Sequence, residues 1–301
     1  MNQDTIQRIK NFSLPGFEGI PLLRLLRFVI KEIQKEGLVM RSSSVTFFFI
    51  LSIFPGLIFL FTLIPYLPVK NVHTQLLLTI KDIINNKEAY QMIRSTINDI
   101  AEIQHQGLMS FGFVFSIFSA MSGVKALLNS FDKAYEHAYV KRNVIQHNWT
   151  ALKLTFMIAI LLLGSLILII AEKTVFEWIY GFFDIRSEWI KWFFDLLRYI
   201  IILALFFFTI SSIYFYGPAV KERFRFISAG STFATLLFII TSLLFSYFVN
   251  NFGTYNKVYG SIGSIIVIML WMYFNCMVLI LGYEINAGIT ILKLKDKTAE
   301  N

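Results

Sequence analysis

Cysteine is almost missing from this chain, and so are the residue clusters from which active sites are built. The single thiol, Cys276, has no second cysteine to pair with, so no internal disulfide cross-links the fold. The four histidines, His73, His105, His137 and His147, are scattered, with neither HExxH spacing nor a paired cysteine. No metal site and no resident cofactor are therefore expected. There is no GxxxxGK[ST] loop, which excludes a transport ATPase of its own. There is no GxSxG elbow, and no GxGxxG that follows a strand. A nuclease needs clustered carboxylates or histidines in a wet cleft, and none stand close in this sequence. No catalytic residue is assigned, and the expectation is of a protein that is not an enzyme. Charge of either sign is scarce, at 15% of residues.

What the chain has instead is apolar length. Apolar residues make up 56% of it, with a mean hydropathy of +0.64. Six runs dominate, at 43–66, 107–131, 151–171, 193–216, 228–249 and 262–286. Each holds about 20 residues or more, the length of helix that crosses about 30 Å of hydrocarbon. A buried helix of a soluble protein is usually shorter and carries a polar stripe. The fold class is therefore all-α, a polytopic membrane protein with six transmembrane helices.

The distribution of the net charge of +8 gives the orientation. Seven basic residues precede the first run: Arg8, Lys10, Arg24, Arg27, Lys31, Lys35 and Arg41. Lys133, Lys141 and Arg142 follow the second run, Lys221, Arg223 and Arg225 the fourth, and Lys293, Lys295 and Lys297 the last. The alternate connections are poorer for their length. This asymmetry predicts both termini in the cytoplasm. It reads as a topology signal, so nucleic acid is not an expected partner, whereas the bilayer and its anionic headgroups are. The first residues lack the short apolar core and cleavage site of a signal peptide. The organisation predicted is a cytoplasmic segment over 1–42, a six-helix membrane domain over 43–290 and a cytoplasmic tail over 291–301.

Residues 21–37, PLLRLLRFVIKEIQKEG, place leucine and isoleucine largely on one helical face and Arg24, Arg27, Lys31, Glu32 and Lys35 largely on the other. The pattern predicts an N-terminal amphipathic helix, either in the headgroup layer or packed under the bundle. Periodicity from Val72 to Ile103, broken at Asn85–Asn86, predicts an extracytoplasmic helical hairpin. The third run is nearly featureless, which predicts a lipid-facing position. Trp178, Tyr180, Trp189 and Trp192 predict an interfacial aromatic belt. Gly112, Ser116 and Ala120, with Ser119 and Gly123, predict close helix approach.

Polar residues at membrane depth are costly and usually face the bundle interior. They give a candidate polar pathway: Ser44, Ser52, Lys125, Asn129, Asn256, Tyr259, Asn275, Glu284 and Asn286. Pro55, Gly260 and Gly263 are candidate helix breaks. Ser44, Asn129 and Glu284 are expected to converge where the first, second and sixth spans meet. Glu284 has two readings, a structural ion pair with Arg41 or Lys125, or a proton- or cation-coupled role.

Three stretches resemble the YihY/BrkB family of bacterial inner-membrane proteins. They are RSSSVTFFFILSIFP from Arg41 to Pro55, LLNSFDKAY from Leu127 to Tyr135, and the closing set. That set runs from Tyr255 through Tyr259-Gly260-Ser-Ile-Gly263-Ser264 to Leu270-Trp271-Met-Tyr273 and Leu281-Gly-Tyr-Glu284-Ile-Asn286. Phe47, Phe48 and Tyr216-Gly217-Pro218 depart from the family pattern. The resemblance covers roughly residues 25–290 and implies six spans in a prokaryotic plasma membrane. The family has also carried a label as a tRNA-processing ribonuclease, ribonuclease BN, for which these residues offer no chemistry. Two functions stand open: a transporter or lipid- and envelope-handling protein without its own ATPase, or a structural or partner-binding envelope protein. A homo-oligomer and an envelope protein partner are both compatible with either.

Overall fold

The computed structural model describes residues 13, 16–63, 91, 94–95, 106–132, 140, 142–170, 188–221, 223–251 and 253–300. Among them every regular element is a helix: α1 Leu22–Glu36, α2 Leu38–Leu63, α3 Gln106–Asp132, α4 Val144–Ile170, α5 Glu188–Tyr216, α6 Ala229–Asn251 and α7 Gly253–Glu300. The last six are long and apolar enough to cross a membrane. The chain is a polytopic all-helical membrane protein. The expected hairpin over Val72–Ile103, apart from residues 91 and 94–95, and the belt residues Trp178 and Tyr180 lie outside the described residues. Trp189 and Trp192 are exposed at the start of α5, edge to face at 6.5 Å.

α1 starts where Pro21, in extended conformation, offers its carbonyl to the amides of Arg24 and Leu25. It stops at Gly37, whose φ of 64° is left-handed and easily adopted only by glycine. The amphipathic face splits in two. Leu25 and Val29 are buried with Ile20 against Ile285, Ile289 and Leu292 of α7. The seat is Gly288, where a Cβ would come within 2.9 Å of the Leu25 Cδ1. Leu23, Leu26 and Ile30 form a second apolar strip that stays exposed, next to exposed Arg27 and Lys31. The helix is thus packed under the bundle and still carries an uncovered amphipathic edge.

The main core joins α2, α3, α4, α5, α6 and α7 through Val45, Leu128, Phe131, Leu154, Ile210, Tyr214, Ala234, Ile280 and Tyr283. α2 lies along α3, and α7 packs on both α6 and α2. α6 and α7 cross at backbone contact: a Cβ on Gly230 would overlap the Gly282 carbonyl oxygen, and one on Gly282 would sit 2.7 Å from the Ala234 Cβ. Gly123 is similarly tight, with Phe49 filling the space a side chain would need. The third run, α4, buries Ala151, Leu154 and Thr155 near its start and exposes Ile160, Leu162 and Leu163 further on. The fifth, α6, buries a smaller share of its span than α4 does.

The helices overrun the apolar runs at both ends of the membrane domain. α2 begins at Leu38, so Arg41 and Ser42 lie inside the first spanning helix rather than before it. Nothing after Gly37 opposes immediate re-entry into helix, and the Arg41 charge that marked a boundary is buried against a partner. None of the three candidate breaks interrupts a helix. α2 is continuous through Pro55, and α7 is continuous through Gly260 and Gly263. A single glycine costs a helix only about 1 kcal/mol, and proline removes one hydrogen bond that a long apolar helix tolerates. α7 also runs on to Glu300, through the residues expected as a tail, since no proline or glycine follows Gly288.

Candidate functional site

The deepest polar feature is Arg41 with Glu284. Both are buried, Glu284 completely. Arg41 Nη1 donates to Glu284 Oε1 at 2.7 Å, and Arg41 Nη2 donates to the carbonyl of Ser130. One guanidinium therefore ties α2 to α7 and to the last turn of α3. That turn has carbonyls with no partner inside the helix, and a cation is favoured there. Tyr283, the neighbour of Glu284, serves the next carbonyl: its hydroxyl donates to Phe131 O at 2.7 Å. Its ring stacks on Phe131 at 4.3 Å.

A second arginine does the same for α5. Arg142 Nη1 donates to Gly217 O at 2.5 Å and Nη2 to Pro218 O at 3.1 Å. Pro218 blocks continuation of the helix, and a Cβ on Gly217 would overlap the Ile213 carbonyl. Asp132, at the end of α3, accepts from the Ala219 amide at 3.3 Å. Burial pushes the Arg142 guanidinium down from its ordinary value, and Asp132 pulls it back up. Sequence reasoning missed this clamp. The signal was present in Tyr216-Gly217-Pro218, a helix end with carbonyls in need of donors.

Beside Arg41 opens a cleft of about 620 Å³ between α2 and α3. Ser44, Lys125 and Asn129 line it with Arg41 and Asp132, and Met40 and Phe48 add apolar wall. Arg41 Nε, buried at this wall, has no hydrogen-bond partner among the described residues. Of the three residues expected to converge, Ser44 and Asn129 share the cleft, and Glu284 meets it through Arg41 rather than lining it. The other predicted pathway residues lie apart. Ser52 Oγ donates to Phe49 O at 2.6 Å within its own helix. Asn275 is buried and donates to Trp271 O at 2.8 Å. Asn286 holds the start of α6, accepting from Gly230 N at 2.8 Å and donating to Ser228 Oγ at 2.9 Å. The side chains of Asn256 and Tyr259 lie outside the described residues. No group of three histidine, cysteine, aspartate or glutamate side chains able to hold a metal occurs among the described residues.

Six helices long and apolar enough to cross a membrane, three of them joined through a buried arginine–glutamate pair with a polar cleft beside it, define a multi-pass membrane protein. The profile of the family described as virulence factor BrkB matches residues 29–301, and the chain belongs to that family. It is similar to the ribonuclease-like protein YfkH of Bacillus subtilis, 32% identical over 267 residues, which cover 87% of this chain and 91% of that one. It also resembles a UPF0761 membrane protein of Tolumonas auensis, 29% identical over 133 residues, 44% of this chain and 42% of the relative. A UPF0761 membrane protein of Pseudoalteromonas translucida is 29% identical over 79 residues, 26% of each chain. The ribonuclease-like name is that of the Bacillus relative; the UPF0761 relatives are named as membrane proteins. No solved structure matches the chain.

Proposed function

We propose that the protein is a transporter or lipid-handling protein of the bacterial plasma membrane, without its own ATPase, and that the cleft between α2 and α3 receives its substrate. The observation that carries this reading is the cleft's lining. Lys125 offers positive charge, next to the carboxylate of Asp132, Arg41 Nε offers a donor that has no partner among the described residues, Ser44 and Asn129 offer hydrogen bonds, and Met40 and Phe48 offer apolar contact. A buried donor left without a partner costs about 1–3 kcal/mol, which a ligand's acceptor recovers. Such a mixture suits an amphiphile whose polar group carries an acceptor or a negative charge. The basic residues before α2, after α3, after α5 and at the end of α7 support a cytoplasmic placement of both ends.

The test is a flux assay with the purified protein in liposomes, across ions, amphiphiles and phospholipids. Replacing Lys125 by Ala and Asn129 by Leu is expected to abolish flux of the true substrate while the melting temperature stays near wild type. Flux unchanged in both variants, for every substrate that the wild type moves, would rule out the cleft as the route. No flux of any compound by the wild type would favour a structural or partner-binding role, for which the buried staple alone suffices.

A further inference from the structure

A second concavity lies away from the cleft, at the α1 end of α7. It encloses about 230 Å³ between the turn at Gly16–Gly19, the 223–228 connection and α7. Four cations line it, Arg223, Arg225, Lys293 and Lys297, against the single carboxylate of Glu18. Glu18 is already engaged: Arg225 Nε lies 3.2 Å from its Oε1, and Lys293 bonds its Oε2. Glu18 itself has a φ of 51°, in the left-handed region, within the turn that faces these cations. Asp296, on α7, is bound through both oxygens by Arg24, at 2.6 and 2.8 Å. The lining itself holds four cations and one carboxylate.

The floor is rigid. Asn286 is buried there and clamps Gly230 and Ser228, and Ser228 and Ser231 cap α6 reciprocally. The rim is apolar in part. Ile227 is 73% exposed and Leu294 is 40% exposed, both beside the cations.

We propose that this pocket binds a phosphate group, and that the phosphate is the headgroup of an anionic phospholipid whose chains lie along Ile227 and Leu294. Clustered lysine and arginine in a concave site recognise phosphate by charge and by multiple donors. The apolar rim distinguishes a lipid from a free phosphate, which would gain nothing from it. The site is independent of the reading of the cleft, since no residue is shared between their linings.

The experiment counts bound lipid by native mass spectrometry of the full chain in neutral detergent. Phosphatidylglycerol, phosphatidylcholine and glycerol phosphate are the probes. One molecule of phosphatidylglycerol is expected to be retained in preference to phosphatidylcholine, and glycerol phosphate is expected not to displace it at matched concentration. The double variant Arg223→Ala/Lys297→Ala should weaken retention by about tenfold or more, at roughly 1 kcal/mol per cation near a membrane surface. The double variant Lys221→Ala/Lys295→Ala removes equal charge from exposed residues outside the pocket and should leave retention unchanged. Should the pocket double variant fold poorly, Ile227→Glu adds a carboxylate at an exposed rim position and is expected to weaken retention instead. Equal loss in the two double variants would reduce the site to a diffuse basic surface. Displacement by glycerol phosphate would assign the pocket to a soluble phosphate, and retention untouched by Ile227→Glu and by the pocket double variant would overturn the proposal.

Discussion

Arg41 is worth more to this molecule as a donor than as a charge. Its guanidinium reaches Glu284 and Ser130 O, on two helices other than its own, and both links are buried. An ion pair taken out of water contributes little on balance, but removing one partner strands the other and typically costs about 3–5 kcal/mol. Glu284→Gln is therefore expected to lower the melting temperature in detergent sharply. The double variant Arg41→Gln/Glu284→Gln should lose less than the two single losses added together, because it strands no charge. Additive losses would mean that the two groups are not coupled. A second residue-scale expectation concerns the helix crossing. Gly282→Ala places a methyl against Tyr214 and Ala234 and should cost about 1–3 kcal/mol, or more if the helices must separate. Gly164→Ala, in α4, meets nothing within 4 Å and should leave the melting temperature level or slightly raised. Matched losses at the two sites would dismiss backbone contact as the cause.

At the scale of elements, α1 separates packing from surface chemistry. Leu25 is 1% exposed against α7, whereas Leu26 and Ile30 are 45% and 53% exposed. Leu25→Glu is expected to destabilise the fold itself. Leu26→Glu/Ile30→Glu is expected to leave the melting temperature in neutral detergent near wild type and to lower stability in bilayers, where the exposed strip meets the headgroup layer. Equal stability of that double variant and wild type in bilayers would make the strip an ordinary surface. The split was not legible in the sequence, which shows an amphipathic face but not which part of it Gly288 seats. Membrane helices themselves were legible, since hydrocarbon thickness sets run length directly. Glycine at 260 and 263 misled because tolerance of a helix to glycine depends on its neighbours, not its sequence. That Glu284 takes a basic partner was legible, since it was the lone carboxylate of its run, but the sequence left Arg41 and Lys125 both open as that partner, and the structure pairs it with Arg41, 243 positions away. The clamp of Arg142 on residues 216–218 was legible only by half: Gly217-Pro218 marks a helix end whose carbonyls need donors, but backbone carbonyls leave no side-chain signature of which donor serves them.

For the whole molecule the open quantity is direction across the bilayer. Six spanning helices among the described residues form an even number, which favours one side for the segment before α2 and the end of α7. Salt links between them agree: Arg24 with Asp296, and Lys293 with Glu18. On a positive-inside reading, the side that carries Arg142, Lys221, Arg223, Arg225, Lys293, Lys295 and Lys297 is expected to face the cytoplasm. Cys276 is the chain's one cysteine and is buried, so a Cys276→Ser background gives a clean start for labelling. Single cysteines at His105 and Lys297 are expected to react from opposite sides of sealed right-side-out vesicles with a membrane-impermeant reagent. The His105 position should label before lysis, and the Lys297 position only after it. Labelling of both before lysis would break the even-span arrangement. Labelling of Lys297 alone before lysis would keep the fold and reverse the orientation, moving the α1 strip and the basic pocket of α7 to the outer leaflet.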